Sequence, residues 1–68
     1  MSNEGVIVNC LKARLLKRPS DYSEIIRWID MLTNVTIESR EKDFYKVKID
    51  EGLEGYIHKN YIALKDYY

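Results

Sequence analysis

Apolar side chains in this chain fall in short runs separated by turn-forming or charged residues, and most runs carry a period of two. Val6-Ile7-Val8 is a β-branched run and the strongest strand signal near the start. Ala13-Arg14-Leu15-Leu16 reads as a second short extended piece. It ends at Lys17-Arg18-Pro19-Ser20-Asp21, where Pro19 biases Arg18 away from the α region and favours an exposed turn. Val35 and Ile37 alternate with Thr36 and Glu38, the pattern of a half-buried strand. Arg40-Glu41-Lys42-Asp43 reads as a charged, solvated turn. Beyond it Tyr45, Val47 and Ile49 alternate with Phe44, Lys46 and Lys48, giving one apolar face and one mixed face. The stretch Asp50 to Ile62 organises the rest: a tight turn, a short strand and a one-turn closure. Gly52 sits where a hairpin needs positive φ, and Gly55 falls inside the next strand, where a glycine marks a bulge or a close backbone approach.

One segment is ambiguous. Tyr22, Ile25, Ile26, Ile29 and Leu32 fall at helical spacing, and Asp21 with Glu24 imitates a capping box, so periodicity alone predicts a helix over 21–32. Against that, Ile25-Ile26-Arg27-Trp28-Ile29 is short, β-branched and aromatic, and strands surround it. The helical reading places Trp28 outside, off the stripe of Tyr22, Ile25, Ile29 and Leu32. Beside Met31 and Leu32 it forms an apolar patch, the signature of a protein contact.

Composition narrows the function classes. Sixty-eight residues make one domain, near the lower limit for folding without a staple. Eleven basic and eleven acidic side chains cancel, so no global field draws the chain to nucleic acid or anionic lipid. The cluster Lys12, Arg14, Lys17 and Arg18 is short, which leaves RNA or single-stranded DNA binding a weak third reading. Cys10 is the single cysteine and is expected to be a buried thiol. His58 is the single histidine and is expected to be structural or merely exposed. One Cys and one His cannot fill a structural zinc site, and no nucleophile, phosphate-loop or paired-carboxylate pattern occurs. No metal, no cofactor and no catalytic residue is therefore expected. The start lacks a basic n-region and no segment approaches a membrane span, so the expectation is a soluble protein made in the cytoplasm, leaving the cell at lysis or within a particle if at all.

Taken in order, Leu15-Leu16-Lys17-Arg18-Pro19-Ser20, Ile25-Ile26-Arg27-Trp28-Ile29, Thr33-Asn34-Val35-Thr36-Ile37, Phe44-Tyr45-Lys46-Val47, Gly52-Leu53-Glu54-Gly55-Tyr56-Ile57 and Tyr61-Ile62 resemble the bacterial SH3 domain, the SH3b type. The likeness runs from about Gly5 to Leu64 without a gap. It implies an all-β fold, a small SH3-like β-barrel of about five to seven short antiparallel strands. Residues 1–4 and 65–68 would be tails around a domain at 5–64. It also tilts residues 21–32 from helix to strand, with Ile26 and Ile29 facing inward across a local irregularity. The chain departs from the family pattern at Leu16, where an Arg is usual, at Arg18 and Leu32, where Gly is usual, and at Tyr56, where Trp is usual. The lost glycines imply altered turns.

The resemblance further implies a non-catalytic interaction module. Tyr22, Phe44, Tyr56 and Tyr61 would line one groove, where rings give large contact area at little rotamer entropy, suited to an extended peptide. The partner expected is a peptide, a protein subunit or the peptide part of peptidoglycan. The alternative is a structural subunit of a larger assembly, a homo-oligomer or a phage particle, packing through Trp28, Met31 and Leu32. The tail Lys65-Asp66-Tyr67-Tyr68 is expected to fray, the alternative being that its paired tyrosines dock on a neighbour.

Overall fold

A computed structural model of the chain describes residues 3–49 and 52–65. Among them are seven strands: β1 (Glu4–Ile7), β2 (Lys12–Leu16), β3 (Ile25–Asp30), β4 (Asn34–Glu41), β5 (Phe44–Lys48), β6 (Glu54–His58) and β7 (Ile62–Lys65). A one-turn 3-10 helix, Lys59–Tyr61, joins the last two. All pairings are antiparallel, in the order β3-β2-β6-β5-β4-β1-β7, and the sheet wraps on itself around one core. This is the all-β, SH3-like arrangement that the resemblance implies. Glu4 pairs with Lys65 across β1 and β7, so both residues belong to the sheet. Asp66 to Tyr68, and with them the terminal tyrosines, lie outside the described residues.

Alternation explains the core. Ile7, Ala13, Leu15, Ile29, Val35, Val47, Ile57 and Ile62 all point inward and form one buried cluster, against which Cys10, Ile37, Tyr45, Ile49 and Leu53 pack partly buried. Gly55 lets β6 close on β2: a Cβ there would stand 2.7 Å from Cγ and Cδ1 of Leu15 and 2.8 Å from the Leu16 carbonyl oxygen. At the hairpin before it, Gly52 has φ +79°. The Ile49 N–H donates to the Leu53 carbonyl and the Gly52 N–H to the Ile49 carbonyl, both at 2.8 Å. Asp50 and Glu51, within the same turn, lie outside the described residues. The charged run Arg40 to Asp43 is half strand: β4 continues through Glu41, and the turn is Lys42-Asp43, with φ +55° at Lys42.

The helical reading of 21–32 is overturned. From Ile25 onward the chain is β3, with Asp30 opposite Lys12, Ile29 opposite Ala13 and Trp28 opposite Arg14. The apparent capping box gives way to serine-built turns. Ser20 Oγ accepts the Tyr22 N–H at 3.1 Å, and Ser23 Oγ accepts the Arg18 N–H at 2.8 Å while donating to the Glu24 carbonyl at 3.0 Å. The inward placement of Ile26 is also corrected. Register shifts between Leu15 and Leu16, so Arg27 faces Leu15, Ile25 faces Leu16, and Ile26 is the extra residue of a β-bulge, 42 % exposed. Ile29 alone of the pair is buried.

Leu32 does not alter its turn; it endures it. The Thr33 N–H donates to the Asp30 carbonyl at 3.2 Å, and Leu32, third of the four residues, keeps φ +69°, the left-handed region that a type II turn reserves for glycine. Its side chain is largely exposed, so little packing offsets the strain. A non-glycine residue there costs roughly 1–2 kcal/mol, and glycine returns about 0.5–1 kcal/mol as extra unfolded-state entropy. Leu32→Gly is therefore expected to stabilise the domain by up to about 1 kcal/mol, read as a higher urea midpoint at unchanged slope.

Candidate functional site

The face of β2, β6 and β5 that turns away from the main core carries a second set of side chains. Register sets Leu16 beside Tyr56, Tyr56 beside Lys46, and His58 beside Phe44. Leu16 and Phe44 are buried although they lie outside the core cluster, so this outer face has a small apolar layer of its own. From it rises a series of rings. Phe44, 6 % exposed, meets His58 edge-on at 5.1 Å between centroids and 79° between planes, and His58 meets Tyr61 at 6.1 Å and 63°. Both separations fall in the range that aromatic quadrupoles favour.

His58 also ends β6. Its Nδ1 accepts the Asn60 N–H at 3.1 Å and so caps the 3-10 turn, which leaves the hydrogen of the neutral ring on Nε2. Other bonds clamp the turn. Asn9 Nδ2 donates to the Asn60 carbonyl at 3.0 Å, the Val8 N–H to the Tyr61 carbonyl at 3.0 Å, and the Lys59 N–H to the Asp43 carbonyl at 2.8 Å. The Tyr61 ring is thus presented from a fixed backbone.

Across from it stands the serine-braced loop after β2. Between loop and turn lies a concavity of about 170 Å³ lined by Arg14, Asp21, His58, Asn60 and Tyr61. One guanidinium, one carboxylate, an amide and two rings therefore converge, a set that can bond a peptide backbone and hold an apolar side chain. Tyr56 stands farther along the same face. Its hydroxyl donates to Glu41 Oε2 at 3.1 Å, tying β6 to the end of the β4–β5 hairpin. Desolvation and the Glu41 carboxylate, as hydrogen-bond acceptor and as charge, push the Tyr56 phenol above its ordinary pKa, against a lowering by Lys46. The phenol is therefore the neutral donor across the physiological range.

Of the aromatic residues singled out in the sequence, Phe44, Tyr56 and Tyr61 share this face, and His58 joins two of them. Phe44 supports the groove from beneath rather than offering surface to a ligand. Tyr22 is 94 % exposed and stands in the loop next to Asp21, with no ring contact to the others. Trp28, 53 % exposed, lies on the edge strand β3, with Met31 and Leu32 in the turn that follows and Leu11 alongside, where the Met31 N–H donates to the Leu11 carbonyl at 2.9 Å. Arg14, Asp21 and Asn60 carry no motif of their own. The spacing of Tyr56, His58 and Tyr61, with two residues on one strand face and one in the turn, is the signal that could have drawn His58 into the set.

Cys10 is half-buried in the bend between β1 and β2. Its thiol donates to the Val8 carbonyl at 3.3 Å, and burial pushes its pKa up, away from the reactive thiolate. Among the described residues no three His, Cys, Asp or Glu side chains gather as a metal cluster.

A family model described as a bacterial SH3 domain matches residues 12–63, from the first residue of β2 into β7. No curated protein matches the chain.

Proposed function

The chain belongs to the bacterial SH3 domain family, and we propose on that footing that it is a non-catalytic module that holds an extended peptide across the His58–Tyr61 groove. The observation that carries this reading is the ring series ending at a concavity that Arg14 and Asp21 also line. An apolar side chain of the ligand packs on Tyr61 and His58. Arg14 and Asn60 bond its backbone carbonyls, and Asp21 receives an ammonium group. Peptide crosslinks of peptidoglycan and an exposed loop of a protein partner both supply that chemistry.

Co-sedimentation with purified bacterial sacculi separates the two. Saturable pelleting that falls about tenfold or more in Tyr61→Ala, a loss of ~1.4 kcal/mol, and is unchanged in Trp28→Ala supports the wall peptide as ligand. Absence of pelleting sinks it and shifts the ligand to a protein.

A second reading, packing within a larger assembly, is favoured by one feature. β3 is an edge strand whose Ile25, Ile26 and Trp28, with Leu11, Met31 and Leu32 beside it, leave apolar surface exposed. Self-association that rises with concentration and is lost in Trp28→Ala is its mark.

A further inference from the structure

A second concavity, of about 340 Å³, lies between β1, β4, β5 and β7, within the size range of small-ligand pockets. Its floor is apolar: Ile37 and Tyr45 pack on the core, and Leu64, in step with the buried Ile62, remains 57 % exposed because nothing among the described residues covers it.

The rim is charged, and a bulge makes it so. Register on β4 shifts between Ile37 and Ser39, so that Arg40, rather than Ser39, stands opposite Tyr45. Its guanidinium lies 5.9 Å from the centre of the Tyr45 ring, and its Nε donates to the Lys42 carbonyl at 3.0 Å. The head group is thereby fixed, with its two terminal nitrogens unengaged among the described residues. On the other bank Lys65 Nζ donates to Asn34 Oδ1. The remaining charges on the rim are Glu4 and Glu38, and neither has an ion-pair partner among the described residues.

We propose that this concavity is a second ligand site, for a short zwitterionic peptide with an apolar side chain. The peptide carboxylate takes the free fork of Arg40, the geometry for which a guanidinium is built. Its ammonium group lies toward Glu4 and Glu38. Its side chain covers Leu64, Ile37 and Tyr45. Two positive and two negative rim groups leave no net attraction for a simple anion or cation, so both ends of the ligand must be present. This site is separate from the His58–Tyr61 groove and does not depend on the reading given for it.

The test is an amide NMR titration of the full chain with alanylleucine, its N-acetyl form and its C-terminal amide. Shifts are expected at Ile37, Glu38, Tyr45 and Leu64 and not at His58 or Tyr61. Each cap should weaken binding, and Arg40→Gln, on the exposed rim, should weaken the free dipeptide at least roughly tenfold while leaving the amide form unchanged. An Arg40→Gln spectrum that otherwise superimposes on the parent verifies the fold. The proposal is overturned if millimolar dipeptide moves none of these amides, if the shifts gather at the groove instead, or if the capped forms bind as well as the free one.

Discussion

Gly55→Ala is expected to destabilise the domain by about 3 kcal/mol, more than the same change at Gly5, whose one sub-3 Å neighbour is a side-chain methyl of Ile62. The new Cβ would lie 2.7 Å from two carbons of Leu15 and 2.8 Å from the Leu16 carbonyl oxygen. The leucine side chain can turn aside at a cost; the carbonyl belongs to the sheet and cannot. Alanine's lower unfolded-state entropy returns only about 0.5–1 kcal/mol, too little to offset the overlap. A domain of this length has a total stability of roughly 3–10 kcal/mol, so the variant should melt roughly 12–24 °C lower. Leu15→Ala alone costs about 2–5 kcal/mol through its cavity. The double variant should be less damaged than the sum of the two, because the cavity accepts the methyl. A Gly55→Ala protein within about 0.5 kcal/mol of the parent would show that β6 does not approach β2 as closely as described.

Phe44→Ala comes next, with an expected loss of about 3 kcal/mol. The ring is almost wholly buried, yet it belongs to the thin outer layer and not to the main core. Few neighbours can collapse into the space it leaves. Its functional consequence is best read in Phe44→Leu, which keeps most of the volume and costs less than about 1.5 kcal/mol. That change removes the edge-on contact holding His58, and through His58 the orientation of Tyr61. The His58 ring-proton resonances should lose the part of their ring-current shift that Phe44 supplies, and peptide binding at the groove should weaken several-fold although the ligand never touches residue 44. Unaltered binding in Phe44→Leu would mean that the clamped backbone of the turn, not the ring series, positions Tyr61.

How much of this was legible depended on whether one partner buried one face. The stretches 35–37, 44–48 and 54–58 alternate because each lays one side on the same core, so period two survives in the sequence; beyond Ile37 the bulge in β4 breaks it, and the strand's continuation to Glu41 reads as a turn. Gly52 and Gly55 could be read for what they do because each answers a steric demand that only glycine meets. The helical spacing of Tyr22, Ile25, Ile26, Ile29 and Leu32 was a coincidence of three environments: a solvated loop, a bulged edge strand and a strained turn. Only Ile29 among them is core, and periodicity carries meaning only when its members share a partner. The aromatic members of the groove were visible by type. Arg14, Asp21 and Asn60 were not, because they come from β2, the loop after it and the closing turn, and only the β2–β6 and β5–β6 registers bring them together. The bulge that carries Arg40 to the inner side of β4 likewise leaves no trace in residue types.

The pairing of β1 has a consequence for how the chain is made. Glu4 to Ile7 lies between β4 and β7, so one neighbour is contributed by residues 34–36 and the other by residues 62–65. As the chain leaves the ribosome, the first strand gains one flank when residues 34–36 emerge and keeps the other bare until residues 62–65 do. Loop closure over nearly the whole length must precede that final pairing, the long-range kind of contact that slows folding. The domain completes itself only once residues 62–65 are free to pair, and until then it exposes on the nascent chain an unpaired strand edge that a holding chaperone can cover.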